Sequence, residues 1–307
     1  MATVLIYSDK ASMALELLTA AQVVGAAAVK AVTINDNAAA QDLVGAGAEV
    51  FAIDNDAINL ADTAAVASAL AQAIEQLGTD VVFLSSNRRG KEVAGRLAQI
   101  IQAGCLTDVT ALQSNGDQIE CQRNALGGAT VATQTITEAK KVIAIRPRTF
   151  EAAAAGSAGS LNDLSVEAKP SAVKLVEVRS KAGDSVDIEA AEILVVVGQG
   201  MESQDDLPLA QELAKKLGGE VACSKPVATD KKWLSEERIV GLSGKKCKPQ
   251  LALLFGISGQ VQFTVGIRDA RVIASINTDE NASMNQMSDY IMTADLKQVL
   301  ADLNKAL

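Results

Sequence analysis

The sequence predicts an α/β protein of two domains, an N-terminal parallel sheet with an antiparallel extension followed by a C-terminal doubly wound sheet. Three observations carry this. Short apolar runs alternate with segments of helical spacing from the N-terminus to about residue 104, and again from residue 193. That alternation marks parallel strands covered by helices on both faces. Aromatic residues make up 3% of the chain against 49% hydrophobic residues overall, so small aliphatic side chains fill the cores and helices can lie close on the strands. Between the two alternating stretches, turn signals and period-two patterning replace the helices.

Each element follows in order. "TVLIYS" (3–8) is a buried strand, and residues 12–25 carry Ala, Leu and Val at helical spacing. "AVKAVTI" (28–34) is a second strand, and "QDLVGAGAEVFAI" gives a short helix, a glycine-containing exit and a third strand. "DTAAVASALAQAIEQLG" (62–78) is a helix stopped by Gly78, "DVVFLSS" (80–86) a fourth strand, and 89–104 another helix. "TALQSNGDQIECQR" then places Asn115-Gly116 between alternating segments, which is a hairpin signal. "GGATVATQTI" and "KKVIAIRP" continue as strands, so an antiparallel extension is expected here. "EAAAAGSAGSLND" (151–163) reads as a loop and "AVKLVEV" (172–178) as a strand. The polar stretch "SKAGDSVDIEAAE" (180–192) is the expected link, dividing the chain into residues 1–184 and 185–307. The second domain restarts the alternation with "ILVVVGQGM", a helix over 205–217, "EVACS", "QLALLFGISG", "RVIASIN", "DYIMT" and a closing helix over 295–306.

Composition excludes several functions. The net charge is −9, which argues against a nucleic-acid surface or an anionic membrane. The chain has no His, so Ser/His/Asp and Cys/His catalysis are ruled out. Cys105, Cys121, Cys223 and Cys247 form no CxxC pair, and no metal site is expected. "MATVLIYSDK" lacks a basic region and reads as a first strand, and no apolar run has the length of a membrane span. The expectation is a cytoplasmic protein with reduced thiols that meets other proteins.

Two strands end in glycine turns, Gly256-Ile257-Ser258-Gly259 and Gly198-Gln199-Gly200. Glycine lets a ligand approach the backbone, and a following helix would offer free N–H groups, with Ser258 as its N-cap or as a hydroxyl donor. Such a turn binds phosphate or diphosphate without Lys or Arg. Asn277 and Asp295 stand at further strand or helix edges, where they would read ribose and adenine. Neither a Walker A motif nor GxGxxG is present, and on the residues alone the turns also read as plain strand ends.

The blocks "KPQLALLFGISGQVQFTVG", "VIASINTD" and "DYIMTADLKQVLADL" resemble, in order and spacing, the α subunit of electron transfer flavoproteins. "NRRGKEVAGRLA" and "VACSKPVATDKKWLSEERIVGLSG" resemble the branch linked to carnitine and anaerobic acyl-CoA metabolism, and the likeness runs over essentially the whole chain. The resemblance implies FAD bound mainly by the second domain and a heterodimer in which the first domain packs with a β subunit. It implies a redox carrier without substrate chemistry of its own, passing electrons between an acyl-CoA dehydrogenase or reductase and another partner. It places the FAD diphosphate on Gly256, Ile257, Ser258 and Gly259, with Gly198 and Gly200 as a sister turn. Gln262 would lie near the flavin, Ser243 would hydrogen-bond its redox-active edge, and Asn277 and Asp295 would face ribose and adenine.

Five residues depart from the family pattern. Lys225 stands where an Arg usually lies over the flavin, and Gln199 replaces an Arg between the glycines. Phe263 occupies a position that is usually His, Leu242 replaces a polar residue, and Thr278 replaces a Lys. These changes remove cations and donors from the site of a dianionic cofactor, so the alternative is an ETF-like structural subunit with weak or lost FAD binding. Trp233 and Cys223 read as packing residues, and Arg88, Arg89 and Lys91 as a helix start that docks on the partner subunit.

Overall fold

The computed structural model describes residues 3–116, 118–128, 130–156, 159–171, 173–177 and 186–307. The chain divides into two compact units, Met1–Val178 and Arg179–Leu307. The boundary expected between residues 184 and 185 lies outside the described residues.

The first unit is built on β1 (Thr3–Tyr7), α1 (Ala11–Val23), β2 (Ala28–Ile34), α2 (Asn37–Gly45) and β3 (Glu49–Ile53). It continues through α3 (Thr63–Leu77), β4 (Val81–Ser85) and α4 (Arg88–Ile101). Strands β5 (Gly104–Asn115), β6 (Gln118–Ala125), β7 (Thr130–Thr135), β8 (Lys141–Ile145) and β9 (Ser160–Asp163) complete it. They form one nine-stranded sheet in the order β7-β6-β5-β8-β4-β1-β2-β3-β9. The pairs β5–β6 and β6–β7 are antiparallel, and every other pair is parallel. Both faces of the parallel part are covered. Ile6, Leu17, Leu43, Phe83 and Ile143 pack on one side, and Leu5, Leu70, Leu84, Leu97 and Val142 on the other.

Four expectations change. β8 is not part of the antiparallel extension, because it returns to lie parallel between β4 and β5. Its run Lys141–Ile145 is nearly all buried, and only a central position covers both faces. The end of the expected loop 151–163 is a strand, β9, which pairs with the otherwise open edge of β3 from Glu49↔Ser160 to Ala52↔Asp163. Residues 173–177, the described part of the expected strand 172–178, pair with no strand, and Val173, Leu175 and Val176 are exposed. The helix expected over 89–104 ends at Ile101, where Gln102 takes a positive φ and Gly104 opens β5.

Asp62 starts α3 by accepting the Ala64 N–H at 2.9 Å, and the Ser171 hydroxyl donates to its other oxygen at 2.7 Å. The Ser171 hydrogen bond, followed by the Ala64 N–H, holds the Asp62 carboxyl below its ordinary pKa. A lowered folded-state pKa contributes stability above the ordinary carboxylate range and loses it as pH falls through the folded value. Asp62→Ala is expected to cost about 1 kcal/mol of stability at neutral pH. In urea unfolding, that difference should shrink as pH falls below about 4. A difference independent of pH would remove the cap argument.

The second unit runs β10 (Ile193–Val197), α5 (Leu207–Leu217), β11 (Glu220–Cys223), α6 (Lys225–Thr229) and β12 (Leu251–Phe255). It ends with α7 (Val261–Thr264), β13 (Val272–Asn277), β14 (Tyr290–Thr293) and α8 (Leu296–Ala306). The five strands are parallel in the order β11-β10-β12-β13-β14. Val195, Leu213, Phe255 and Leu300 fill one face, and Leu194, Leu254, Ile257 and Phe263 the other. The chain runs from β10 outward to β11 and then back across to β12. The carboxyl ends of β10 and β12 are therefore the switch point, where doubly wound sheets leave a crevice.

Candidate functional site

The two glycine turns meet at that crevice. Gly198 N–H donates to the Phe255 carbonyl at 2.8 Å, and Gly200 N–H to the Gly256 carbonyl at 3.1 Å. A Cβ on Gly198 would lie 2.1 Å from the Gly256 oxygen, so the turns need glycine to pack on each other as well as to admit a ligand. Gly259 has φ +89°, and a Cβ there would lie 2.1 Å from the Met284 nitrogen. Asn277, at the end of β13, donates to the Ile257 carbonyl at 3.0 Å and accepts the Asp279 N–H at 3.1 Å, which ties the turn to its neighbour strand.

The helix expected directly after Gly259 is the single turn α7, with Gln260 rather than Ser258 in the N-cap position and no side-chain cap. The anion-binding potential comes instead from the turn itself. The backbone N–H groups of Ile257, Ser258, Gly259, Gln260, Val261 and Gln262 donate to no acceptor among the described residues. Consecutive unpaired N–H groups around a positive-φ turn form a nest for an anion, and a diphosphate matches such a row of donors.

A cavity of about 690 Å³ opens at this turn, within the range of about 300–1,000 Å³ usual for small-molecule sites. Among the expected site residues, Gly200, Lys225, Ser243 and Gly256 line it. Ile257, Ser258, Gln262 and Asn277 line it as well. Gly198, Gly259 and Asp295 are not in the lining. The first two shape the turns from behind, and Asp295 caps α8 by accepting the Gln298 N–H at 2.9 Å. Sequence reasoning did not single out Ser224, Thr229, Asp230 and Asp279, which also line the cavity. They sit on segments whose approach to the turn depends on strand order.

The electrostatics of the lining are sparse. Lys225 is its cation, and Asp230 and Asp279 are its carboxylates. Gln199 and Phe263 contribute no charge, and Phe263 is buried in the apolar cluster with Ile257 and Met284. Lys231 lies behind the Gly198–Gly200 turn, donates to the Gln199 carbonyl at 3.1 Å and to the Met201 carbonyl, and sits 4.3 Å over the Trp233 ring. Trp233 packs on the core beside α5 and is outside the cavity lining. Burial pushes the Cys223 thiol up to about 12 and Cys121 up to about 11, so neither is a thiolate at neutral pH. Among the described residues, no group of three or more Cys, Asp or Glu is placed to hold a metal ion. No helix among them is long and apolar enough to cross a membrane. In the first unit, Lys91 pairs with Asp108 at 3.0 Å, and Asn87 caps α4 through the Gly90 N–H.

An anion-binding nest and a cavity of about 690 Å³ with few charges suit a large cofactor held through its diphosphate. Comparison with known proteins agrees with this. Residues 187–268 match the electron transfer flavoprotein FAD-binding domain, and residues 8–171 match the electron transfer flavoprotein domain. The protein named Protein FixB of Escherichia coli is 33% identical over 307 residues, covering 98% of this chain and 97% of that one. Protein FixB of Shigella flexneri is also 33% identical, with the same coverage of 98% and 97%. Among solved structures, a putative thiamin diphosphate-dependent enzyme from Mycobacterium smegmatis covers 100% of this chain at 14% identity and a TM-score of 0.25. The chain spans 60% of that enzyme's length, and so slight a likeness carries no argument.

Proposed function

Because the chain belongs to the electron transfer flavoprotein family as an α subunit, we propose that the cavity at the Gly256–Gly259 turn is where it holds FAD. The family is one of redox carriers, its α chains pair with a β subunit, and FAD is the cofactor of the matched domain. Bound there, FAD supplies the redox chemistry, taking up and releasing electrons. The protein's part is to hold and shield it. The N–H groups of residues 257–262 take the diphosphate, and Ser258 adds a hydroxyl. Lys225 brings the one positive charge of the lining, while Ser243 and Gln262 supply polar contacts to the flavin. Asn277 holds the turn closed and orients the ribose end. Asp295 acts from the start of α8, on the adenine side. Phe263 gives an apolar wall without a hydrogen-bond donor.

On this reading residues 1–184 form the domain that packs with the β subunit and residues 185–307 the FAD domain. Electrons pass between an acyl-CoA dehydrogenase or reductase and a second redox partner, in the cytoplasm, with no substrate chemistry by this chain. The observation that carries the reading is the row of unpaired N–H groups at the mouth of a cavity of suitable size. The sparse positive charge of the lining keeps one alternative in view, an ETF-like structural subunit that binds FAD weakly or not at all.

An absorption spectrum of the chain purified with its β subunit, before and after FAD is added, separates the two. A flavin spectrum that bleaches with dithionite is expected, and Ser258→Trp should abolish it. Ser258 is exposed, so the larger side chain fills the cavity mouth without entering the core. A heterodimer that stays colourless in excess FAD would establish the structural alternative.

A further inference from the structure

A cation outside the cavity lining is hydrogen-bonded, through the backbone, to a donor inside it. Lys231 follows α6 and is half-buried. Its own N–H donates to the Pro226 carbonyl at 3.0 Å, which fixes its backbone against α6. Its ammonium donates to the Gln199 carbonyl at 3.1 Å and to the Met201 carbonyl, and stands 4.3 Å from the centre of the Trp233 ring. A surface lysine ordinarily holds its ammonium in water. This one gives two of its three N–H donors to the Gly198–Gly200 turn and its exit. None of these partners is a carboxylate, so the positive charge is not cancelled where it sits.

The Gln199 carbonyl shares a peptide unit with the Gly200 N–H, and that N–H donates to the Gly256 carbonyl at 3.1 Å. The Gly256 carbonyl shares the next peptide unit with the Ile257 N–H, the first of the unpaired donors at the cavity. In a planar trans peptide the carbonyl and the N–H point in opposite directions. The bonds therefore run in one sense, from the ammonium through two peptide units to the Ile257 N–H. In such a chain each bond polarises the next, and a charged first donor makes the whole chain stronger. The packing holds this route in place, since a Cβ on Gly200 would lie 2.9 Å from the Gly256 Cα. We infer that Lys231 is a positioning residue for the cofactor, orienting and polarising the Ile257 N–H toward the FAD diphosphate through the Gln199–Gly200 and Gly256–Ile257 peptides. The inference rests on the FAD reading above. It gives the site a second positive charge, one that acts on the anion without touching it.

The test uses the full chain with its β subunit, stripped of flavin, as wild type, Lys231→Met and Lys231→Arg. Met keeps the apolar stem on Trp233 without the charge, and Arg keeps charge and donors. FAD titration, inhibition of FAD uptake by inorganic pyrophosphate, and thermal unfolding of the flavin-free form are measured on all three. Pyrophosphate carries only the anion, so it reads the turn apart from the flavin and adenine contacts. Lys231→Met should raise the FAD dissociation constant and the pyrophosphate inhibition constant alike, about tenfold. Lys231→Arg should keep both near the wild-type values. A rise for FAD with pyrophosphate unaffected would overturn the inference, because the lysine would then shape another part of the cavity. Equal losses in the two variants would overturn it, as would a Met variant that no longer melts cooperatively, since the side chain would then serve the fold. Failure of pyrophosphate to compete in wild type would also overturn it, because the turn would then not be the anion site. If wild type takes up no FAD, the reading beneath fails and this one fails with it. If wild type binds and Lys231→Met binds equally well, only the assignment of Lys231 is lost.

Discussion

Gly259→Ala is expected to abolish FAD binding and to destabilise the second unit. Gly259 sits at φ +89°, where an L side chain costs about 1–2 kcal/mol. The new Cβ would also fall 2.1 Å from the Met284 nitrogen and 2.6 Å from its Cα, and backbone atoms cannot give way as a flexible side chain can. Overpacking of this kind costs about 1–3 kcal/mol more, so a total of about 2–5 kcal/mol is expected. Met284 is fully buried in the cluster with Ile257 and Phe263, so the turn moves rather than the core. Movement of the turn redirects the N–H groups of residues 257–262 away from a common point, which is what an anion site requires. The check is denaturant unfolding of the variant together with its flavin absorbance after FAD is added. Wild-type stability with full flavin content would show that the turn does not need glycine here, and the nest would lose its role.

Lys225→Glu should weaken FAD on the order of a hundredfold while leaving the fold intact. Lys225 is exposed, and its ammonium meets no acceptor among the described residues, so reversing its charge breaks no internal contact. It is nevertheless the cation of a lining that already holds Asp230 and Asp279. A hydrogen bond to a charged group is worth about 1.5–3 kcal/mol, and a third carboxylate adds repulsion toward a dianionic cofactor. Because the site is open to solvent, the loss should shrink as salt rises. FAD titrations of wild type and Lys225→Glu at low and high ionic strength test both parts. An unchanged dissociation constant at low salt would mean that the backbone nest alone carries the cofactor.

Much of the architecture was legible in the chain. Strand β2 spans "AVKAVTI" as read, and α3 runs up to Gly78, because a buried apolar run and a capped period-3.6 pattern are local properties. The parallel second sheet with its strand-end glycine turns was legible for the same reason. The misreadings share a cause. "KKVIAIRP" carries no mark of its neighbours, so its place between β4 and β5 was out of reach. "SLND" looks like loop because a four-residue edge strand is held by backbone pairing to β3 rather than by its own side chains. "AVKLVEV" has strand patterning, yet its described residues have no partner, and without a partner the pattern builds no ladder.

The same division runs through the candidate site. Gly256, Ser258 and Gly259 stood out because glycine and serine at a strand end are a local signal. Lys231 did not, since one lysine of a charged segment becomes informative only when the fold brings its ammonium to the Gln199 and Met201 carbonyls. By itself the sequence determined which segments are strands and helices, the α/β class and the family, because hydrophobic period, turn chemistry and block order are written along the chain. The tertiary structure decided strand order, the pairing of β9, the meeting of the two glycine turns and which polar atoms face the cavity. Those depend on contacts between residues far apart in the chain, and their energies exist only once the strands have come together.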